Sequence, residues 1–299
     1  MGKLAILSDL HVDINQLGDN ELRQLVEVLQ AKAITHVHLA GDTANKLEGL
    51  WGVVKFIEDH QISVTYNFGN HEMPDLANEQ GIEAYPDTHF LNFKSISLNA
   101  SQVLLAFNGW YDYSYALEKD QAKILASKNL YWYDRFIQRE LADPKTQEVI
   151  LHQLQLVLDQ LAEMNKQVII ATHFVPKREF IVYQQGRYAR WNQLNAFLGS
   201  EGTGQLFDQY DHIQQVVFGH THRRFSDQLL GGTIYSARPL GYFYEWQLTR
   251  NFMLENQLMT SFNPMKVRGI LKHHKEAFNR FRREHLKAEF TESMTVIEY

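Results

Sequence analysis

Residues suited to metal binding follow five short apolar runs of this 299-residue chain. The blocks read SDLH, AGD, GNHE, TH and GHTH, and they contain Asp9, His11, Asp42, Asn70, His71, His173, His220 and His222. Mixed His, Asp and Asn ligands suit Mn, Fe, Zn or Co better than Ca. Such groups are costly to bury unless cations compensate for their lost hydration. The residue types therefore indicate metal-dependent chemistry.

Each block taken alone has a simpler interpretation. Asp9 could cap a helix, Asp42 could close an Asx turn, and His173 could be a hydrogen-bonded core histidine. In GNHE, Gly69 could supply a turn in which Asn70 bonds its own backbone. These roles are commoner than metal ligation for any one residue. The five blocks together favour a metal site, since so many carboxylates and imidazoles at strand ends would otherwise leave one another unsatisfied.

The elements that must position these blocks are readable as buried strands. The runs are KLAILSD (3 to 9), HVHLAGD (36 to 42), SVTYNFGN (63 to 70), VLLAFNG (103 to 109), QVIIATH (167 to 173) and QVVFGH (215 to 220). Amphipathic helical patterns lie between them at 22–29, 47–54 and 151–161, and 231–248 predicts a hairpin that turns at a Gly-Gly pair. Strands alternating with helices predict an α/β protein, in which ligand groups collect beyond the carboxyl ends of the strands.

Spacing within two of the blocks fits a strand or strand exit. Asp9 and His11 are two residues apart, as are His220 and His222. In an extended chain such pairs point to the same side, so both side chains of a pair can reach one metal site. Neither pair has the one-turn spacing of a helical zinc site.

The ordered blocks, spanning residues 9 to 222, resemble those of the calcineurin-like metallophosphoesterases, in particular small bacterial phosphoesterases that begin with a Ser-Asp-Leu-His block. The resemblance implies a four-layer α-β-β-α sandwich of two mixed sheets, with a dinuclear metal site at the carboxyl ends of the strands. One metal would be bound by Asp9, His11, Asp42 and His222, and the other by Asp42, Asn70, His173 and His220. Asp42 would bridge the two ions.

The activity expected from that resemblance is hydrolysis of a phosphate ester by a metal-bridging hydroxide. Two cations about 3.5 to 4 Å apart neutralise the ester and activate the water. The resemblance assigns His71 to the leaving-group oxygen, as a general acid or charge stabiliser. The sequence assigns no catalytic part to Glu72, and it does not distinguish among Mn, Fe, Zn and Co as cofactors.

Several substrate classes stay open. We expect a small soluble phosphodiester, ahead of a phosphomonoester, whose extra charge Lys177, Arg178, Arg187 or Arg190 could pair. Protein phosphatase activity is disfavoured because GDTANKLEG has Asn45 and Lys46 where protein Ser/Thr phosphatases have Asp and Arg. A DNA or RNA nuclease and a non-catalytic scaffold of the same fold also stay open.

We expect one metallophosphoesterase domain over residues 1–250, with a helical, aromatic insertion at about 110–165 and a loop-helix segment at about 174–200. Residues 251–299 are predicted to be a C-terminal helical appendage packed on that domain. Its basic helix is more typical of a solvated surface than of a nucleic-acid contact.

Composition excludes other classes of protein. A formal net charge of −6 disfavours broad nucleic-acid binding, and the lack of cysteine excludes disulfides and thiolate metal sites. The sequence predicts no membrane insertion, since no run approaches the roughly 18 apolar residues that a span needs. A cytoplasmic location is the default expectation.

Overall fold

The computed structural model describes residues 2–299, which alternate between strands and helices as the sequence predicts. The strands are β1 (Lys3–Leu7), β2 (His36–Ala40), β3 (Ser63–Asn67), β4 (Lys94–Ser97), β5 (Gln102–Phe107), β6 (Gln167–Thr172), β7 (Ile213–Phe218), β8 (Gln228–Leu230), β9 (Thr233–Ala237) and β10 (Met294–Glu298). The helices are α1 (Asp19–Ala31), α2 (Leu47–Glu58), α3 (Glu79–Glu83), α4 (Gln121–Tyr131), α5 (Asp143–Glu163), α6 (Glu201–Phe207), α7 (Gln247–Glu255), α8 (Pro264–Leu271) and α9 (Lys275–Glu292).

The strands form two mixed sheets. One has the order β10-β1-β2-β3, with β1, β2 and β3 parallel and β10 antiparallel to β1. The other has the order β4-β5-β6-β7-β9-β8, with a parallel centre and antiparallel edge strands β4 and β8. The parallel strands therefore direct their carboxyl ends to a shared edge within each sheet.

The two sheets pack face to face. One small apolar cluster joins alternate residues of both sheets, among them Leu4 and Ile6 of β1 and Ile169 and Ala171 of β6. The opposite faces of the sheets lie in a larger cluster that includes the buried sides of α1, α2, α5 and α9. This arrangement confirms the predicted α/β fold with two mixed sheets, each covered by helices on its outer face.

The helices form for recognisable local reasons. In α1 the apolar residues Leu22, Leu25, Val26 and Leu29 are buried. The Glu21 carboxylate accepts a hydrogen bond from the Gly18 N–H at 3.1 Å, which caps the first turn. In α2 Trp51, which lies within the predicted helical pattern 47–54, is 43% exposed. The buried side of this helix includes Leu50, Val53, Val54 and Ile57 instead. No helix within residues 2–299 combines the length and apolarity needed to cross a bilayer.

Two segments between the sheets' strands frame the site. Between β5 and β6 lie α4, a 3-10 turn at Tyr133–Phe136 and α5. After β6 a long 3-10 segment, Gly186–Phe197, precedes α6. The Ser127 hydroxyl donates to the Gln193 side chain at 3.4 Å, which links α4 to that segment.

The C-terminal part of the chain contains a strand as well as helices. After α8 and α9, β10 pairs with β1 from Lys3 opposite Glu298 to Leu7 opposite Met294. The sequence predicts the helices but not this strand. The pairing makes β10 an edge of the sheet that carries the first metal-binding block.

Candidate metal centre

The predicted ligands converge at one edge of the two sheets. Asp9 and His11 follow β1, Asp42 follows β2 and Asn70 follows β3, all from the four-stranded sheet. The six-stranded sheet supplies His173 after β6 and His220 and His222 after β7. All seven are buried or nearly so. The predicted set is therefore assembled from both sheets.

The first group contains Asp9, His11, Asp42 and His222, with one ligand atom of each within 4.8 Å of the others. His222 Nε2 lies 3.0 Å from His11 Nε2 and 3.3 Å from Asp9 Oδ1. His11 Nε2 lies 3.7 Å from Asp42 Oδ2. Metal–ligand bonds of about 2.0–2.2 Å place neighbouring ligand atoms about 3.0–3.5 Å apart, so most of these separations suit a single cation.

The second group shares an atom with the first. His173 Nε2 lies 3.3 Å from Asp42 Oδ2, 3.1 Å from Asn70 Oδ1 and 3.1 Å from His220 Nδ1. Asp42 Oδ1 is occupied elsewhere, since it accepts the His71 N–H at 2.8 Å. Asp42 Oδ2 is thus the atom that faces both groups, as a bridging ligand would.

Hydrogen bonds at the far side of three imidazoles fix tautomers that fit metal binding. His173 Nδ1 meets the Ala40 carbonyl at 3.1 Å, and His220 Nε2 meets the Phe197 carbonyl at 3.1 Å. His222 Nδ1 meets the Glu245 carboxylate at 3.0 Å. A ring nitrogen facing a carbonyl or carboxylate must carry the proton, which leaves the other nitrogen of each ring free as a ligand.

The backbone at the ligands is unusual. Asp9, His11, Asp42, His220 and His222 all have positive φ, between 42° and 69°. This left-handed region is unfavourable for residues other than glycine, and its use at several residues of one site is typical of functional constraint. It turns each chain sharply where its strand ends, so that the side chains face the common edge.

Glycines next to the ligands allow the chains to approach closely. A Cβ atom on Gly69 would lie 2.2 Å from Asp42 Oδ1, and one on Gly219 would lie 2.2 Å from Asp9 Oδ2. Gly41 has φ +83°, and a Cβ there would meet His173 Nδ1 at 2.6 Å. The glycines of the AGD, GNHE and GHTH blocks are therefore required by close packing against predicted metal ligands.

Glu72, which the sequence leaves without a role, fastens two of the ligand loops together. Its carboxylate accepts backbone N–H groups of Asp42 at 3.0 Å, Ala44 at 3.0 Å and Gly69 at 2.9 Å. Burial and the Asp42 carboxylate raise the pKa of Glu72 to about 8, while the hydrogen bonds from Ala44 and Gly69 act in the opposite direction. Glu72 is a positioning residue for Asp42.

Asp134 orients the only amide ligand of the predicted set. Its carboxylate accepts the Asn70 Nδ2–H at 2.6 Å and the Trp132 indole N–H at 2.8 Å. The Asn70 amide oxygen is thereby directed at the second group. Burial raises the pKa of Asp134 to about 6, against the lowering effect of Lys128 and of its hydrogen bonds. Sequence reasoning missed this residue, which lies in the predicted aromatic insertion.

His71 lies beside the predicted ligands at the floor of the cleft, 7% exposed. Its Nδ1 is 2.6 Å from Asn45 Oδ1, its Nε2 is 3.3 Å from the Tyr242 hydroxyl, and its ring stacks on Tyr133 at 4.2 Å. Nε2 also lies 3.9 Å from Asp42 Oδ2. Burial lowers the pKa of His71, partly offset by Asp42. The neutral ring therefore donates from Nδ1 to Asn45 and accepts at Nε2 from Tyr242.

The pKa values of the other histidines shift in two directions. Burial lowers the pKa of His11, and it lowers that of His220 to about 3. Although burial acts in the opposite direction, Asp42 raises the pKa of His173 to about 9, and Asp9 with Glu245 raises that of His222 to about 10. The carboxylates of the site thus favour positive charge beside them, which agrees with a metal-binding site.

A cleft of about 390 Å³ opens onto the cluster. Besides Asp42, Asn70, His71, His220 and His222, its lining is largely aromatic and amide: Tyr131, Trp132, Tyr133, Gln184, Trp191, Asn195 and Tyr242, with Val182, Leu198, Thr221 and Arg223. Tyr242 follows β9, which pairs in parallel with β7. Its position after a strand is the feature of the sequence that could have identified it as a cleft residue.

None of the four residues predicted to pair a monoester's extra charge lines the cleft. Lys177 pairs with Asp208 at 2.7 Å and Arg178 with Glu201 at 2.7 Å. Arg187 and Arg190 lie over the rings of the tyrosine and tryptophan that follow them. Within residues 2–299, Arg223 is the single lysine or arginine that lines the cleft.

Comparison with known proteins agrees with this geometry. The family model described as calcineurin-like phosphoesterase matches residues 2–224. The structure of phosphopantetheinyl hydrolase from Mycobacterium tuberculosis is similar, with 16% identity, 82% of this chain and 92% of that chain covered, and a TM-score of 0.62. A dimetal phosphatase from Danio rerio has 14% identity over 79% of this chain and 86% of its own, with a TM-score of 0.47. No curated protein matches the chain.

Proposed function

The chain belongs to the calcineurin-like phosphoesterase family, and on that premise we propose that it hydrolyses a phosphodiester of a small molecule with two transition-metal ions bound. Metal-dependent phosphoester hydrolysis follows from the family together with the Asp/His cluster. The observation that carries the proposal is the pair of ligand groups that share Asp42 Oδ2.

The residues present fit two cations. When bound, such ions neutralise the phosphate and lower the pKa of a coordinated water. Asp9, His11, Asp42 and His222 would hold one ion, and Asp42, Asn70, His173 and His220 the other. Asp134 and Glu72 keep the Asn70 amide and the Asp42 loop in place, so the ligands are oriented before any ion arrives.

His71 is placed to assist the leaving group. Its Nε2 faces the cleft beside the bridging carboxylate, and the ring is held by Asn45 and Tyr133. Donation of a proton from Nε2 requires the imidazolium form of His71. The neutral Asn45 amide stabilises that cation less than a carboxylate at the same place would. His71 therefore matters most for a leaving group that cannot depart as an anion.

The charge of the cleft favours a diester over a monoester. A monoester dianion carries more negative charge than a diester, and within residues 2–299 the cleft's lining contains one lysine or arginine, Arg223, with Arg190 over the lining residue Trp191. An additional guanidinium or ammonium group is the usual partner of a second phosphate charge. The preference for a diester rests on this distribution of cations.

The test is hydrolysis by protein reconstituted with Mn²⁺. We expect a higher kcat/KM for bis(p-nitrophenyl) phosphate than for p-nitrophenyl phosphate, and about two metal ions per chain. Asp42→Asn is the matched control, which should lose metal and both activities. A monoester preference would overturn the diester assignment, and two bound ions without hydrolysis of either ester would favour a scaffold.

Further substrates separate the remaining functions. A phosphopeptide tests protein phosphatase activity, and single-stranded DNA and RNA test nuclease activity. A phosphopantetheine ester tests the class of substrate after which the mycobacterial hydrolase is named. Turnover of DNA that falls steeply with added salt would favour the nuclease.

A further inference from the structure

The aromatic side of the cleft has no task in the metal chemistry described above. Tyr131 ends α4, and Trp191 lies in the 3-10 segment Gly186–Phe197. Both line the cleft, and they are 60% and 36% exposed. Large exposed aromatic side chains next to a reaction site are typical of ligand contact rather than of folding.

Both rings keep exposed surface that a ligand could cover, although the Arg190 guanidinium lies over the Trp191 ring. Trp132 and Tyr133, by contrast, already pack against Phe197 and His71. Within residues 2–299, neither Tyr131 nor Trp191 stacks on another aromatic ring, and Trp191 has the Arg190 guanidinium 5.1 Å from its ring.

The neighbouring polar groups also favour a planar ligand. Gln184 and Asn195 line the cleft with side-chain amides, and the Gln184 backbone is fixed by two hydrogen bonds to Asn192, at 2.7 and 2.9 Å. Amides both donate and accept, as the edge of a heterocycle requires. Within residues 2–299 the cleft's lining has no carboxylate besides the metal ligand Asp42, and Arg190 lies over Trp191, so a cationic ligand group is disfavoured.

We propose that Tyr131 and Trp191 form a stacking subsite for a planar aromatic group joined to the phosphate, such as a nucleobase. This inference rests on the proposed function, because it places the phosphate at the metal cluster. Gln184 and Asn195 contact the edge of that group. The substrate class is then a nucleotide-type or aryl phosphodiester.

The experiment measures binding, so that it does not depend on turnover. Calorimetry on the Mn²⁺-loaded protein compares adenosine 5′-monophosphate with methyl β-ribofuranoside 5-phosphate, which lacks only the base, with nucleotide integrity checked by chromatography. Stacking contributes about 1–3 kcal/mol per base. We expect the nucleotide to bind at least about fivefold tighter.

Variants test whether Tyr131 and Trp191 cause the difference in affinity between the nucleotide and the sugar phosphate. Tyr131→Ala and Trp191→Ala should each weaken nucleotide binding by about fivefold or more and leave the sugar phosphate unaffected, whereas Trp191→Phe should retain most of the affinity. Tyr188→Ala is the matched control, since Tyr188 is a 39% exposed aromatic of the same 3-10 segment that does not line the cleft.

Equal affinity for the two phosphates, or unchanged binding in both alanine variants, would overturn the subsite. Failure of the proposed function gives a different result. In that case the protein hydrolyses no phosphodiester but still binds the nucleotide more tightly than the sugar phosphate.

Discussion

At the scale of single residues, the partner of His71 decides what kind of catalyst this site can be. Asn45 holds the ring through Nδ1 at 2.6 Å without adding charge. An aspartate at the same place would stabilise the imidazolium and so favour proton donation. Asparagine gives no such stabilisation, so proton donation by His71 depends on an imidazolium form that burial disfavours.

Replacing His71 with alanine should separate metal binding from catalysis. We expect His71→Ala to retain about two ions per chain and to lose about 100-fold in kcat on an alkyl phosphodiester, because general acid catalysis is worth that much for a poor leaving group. The loss on an aryl diester should be smaller. Metal analysis and kcat on both esters provide the measurements.

His152→Ala, at an exposed position of α5, is the control for loss of a histidine and should leave both rates unchanged. Parent-like activity of His71→Ala on the alkyl ester would remove His71 from the mechanism.

A second histidine, His38, should make stability depend on pH. It is buried on β2, between Thr65 and Asn67, and burial lowers its pKa from 6.5 to about 3. As pH falls below 6.5, the unfolded chain takes up a proton that the folded chain does not. Stability is therefore lost as pH falls, by about 2 kcal/mol between about pH 6.5 and 4.5 from this residue.

Urea unfolding at several pH values tests this. The free energy of unfolding of His38→Gln should fall less over that range than that of the parent, whatever its stability at neutral pH. Parallel curves for the two proteins would show that His38 does not titrate as described.

At the scale of elements, the site depends on strand exits that pass within contact distance of one another. Gly69→Ala should lower metal content and cost about 1–3 kcal/mol of stability, because its Cβ would lie 2.2 Å from Asp42 Oδ1. Metal analysis and thermal unfolding measure both effects.

Gly52→Ala, in α2 with nothing within 4 Å of the added Cβ, is the matched control. It should keep both metals and gain up to about 1 kcal/mol. Equal behaviour of the two variants would contradict the close-approach account.

The strands also show how much of the fold can be predicted from the sequence. Strands buried on both faces, such as β5 and β6, are nearly continuous apolar runs and were predicted within a few residues. The edge strands β4 and β10 were not, because half-exposed KSIS and MTVIE lack such a run. The ligands were readable because each follows a predicted strand. The approach of Asp134 to Asn70 joins segments 64 residues apart in the chain, and no local pattern encodes such a contact.

At the scale of the whole molecule, two sheets share one cluster of ligands, so metal binding should stabilise both together. We expect the free energy of unfolding to rise by about 4 kcal/mol when free Mn²⁺ exceeds its dissociation constant about 1,000-fold. Chelation should reverse the gain. Thermal unfolding at graded metal concentrations measures the effect.

Asp9→Asn is the control, because it weakens one ligand group and leaves the protein's other surfaces unchanged. It should respond much less to added metal. A shift as large as the parent's would show that the ions stabilise the protein at some other position.

The pairing of β10 with β1 has a consequence for how the protein is made. The strand that leads into Asp9 and His11 is closed on one side by Met294–Glu298, which leaves the ribosome long after β1 has emerged. Long-range closure of this kind is slow and occurs late. A nascent chain therefore holds four of its seven predicted metal ligands on an incomplete sheet until β10 has emerged, and we expect loading of the ions to follow the pairing of β10 with β1.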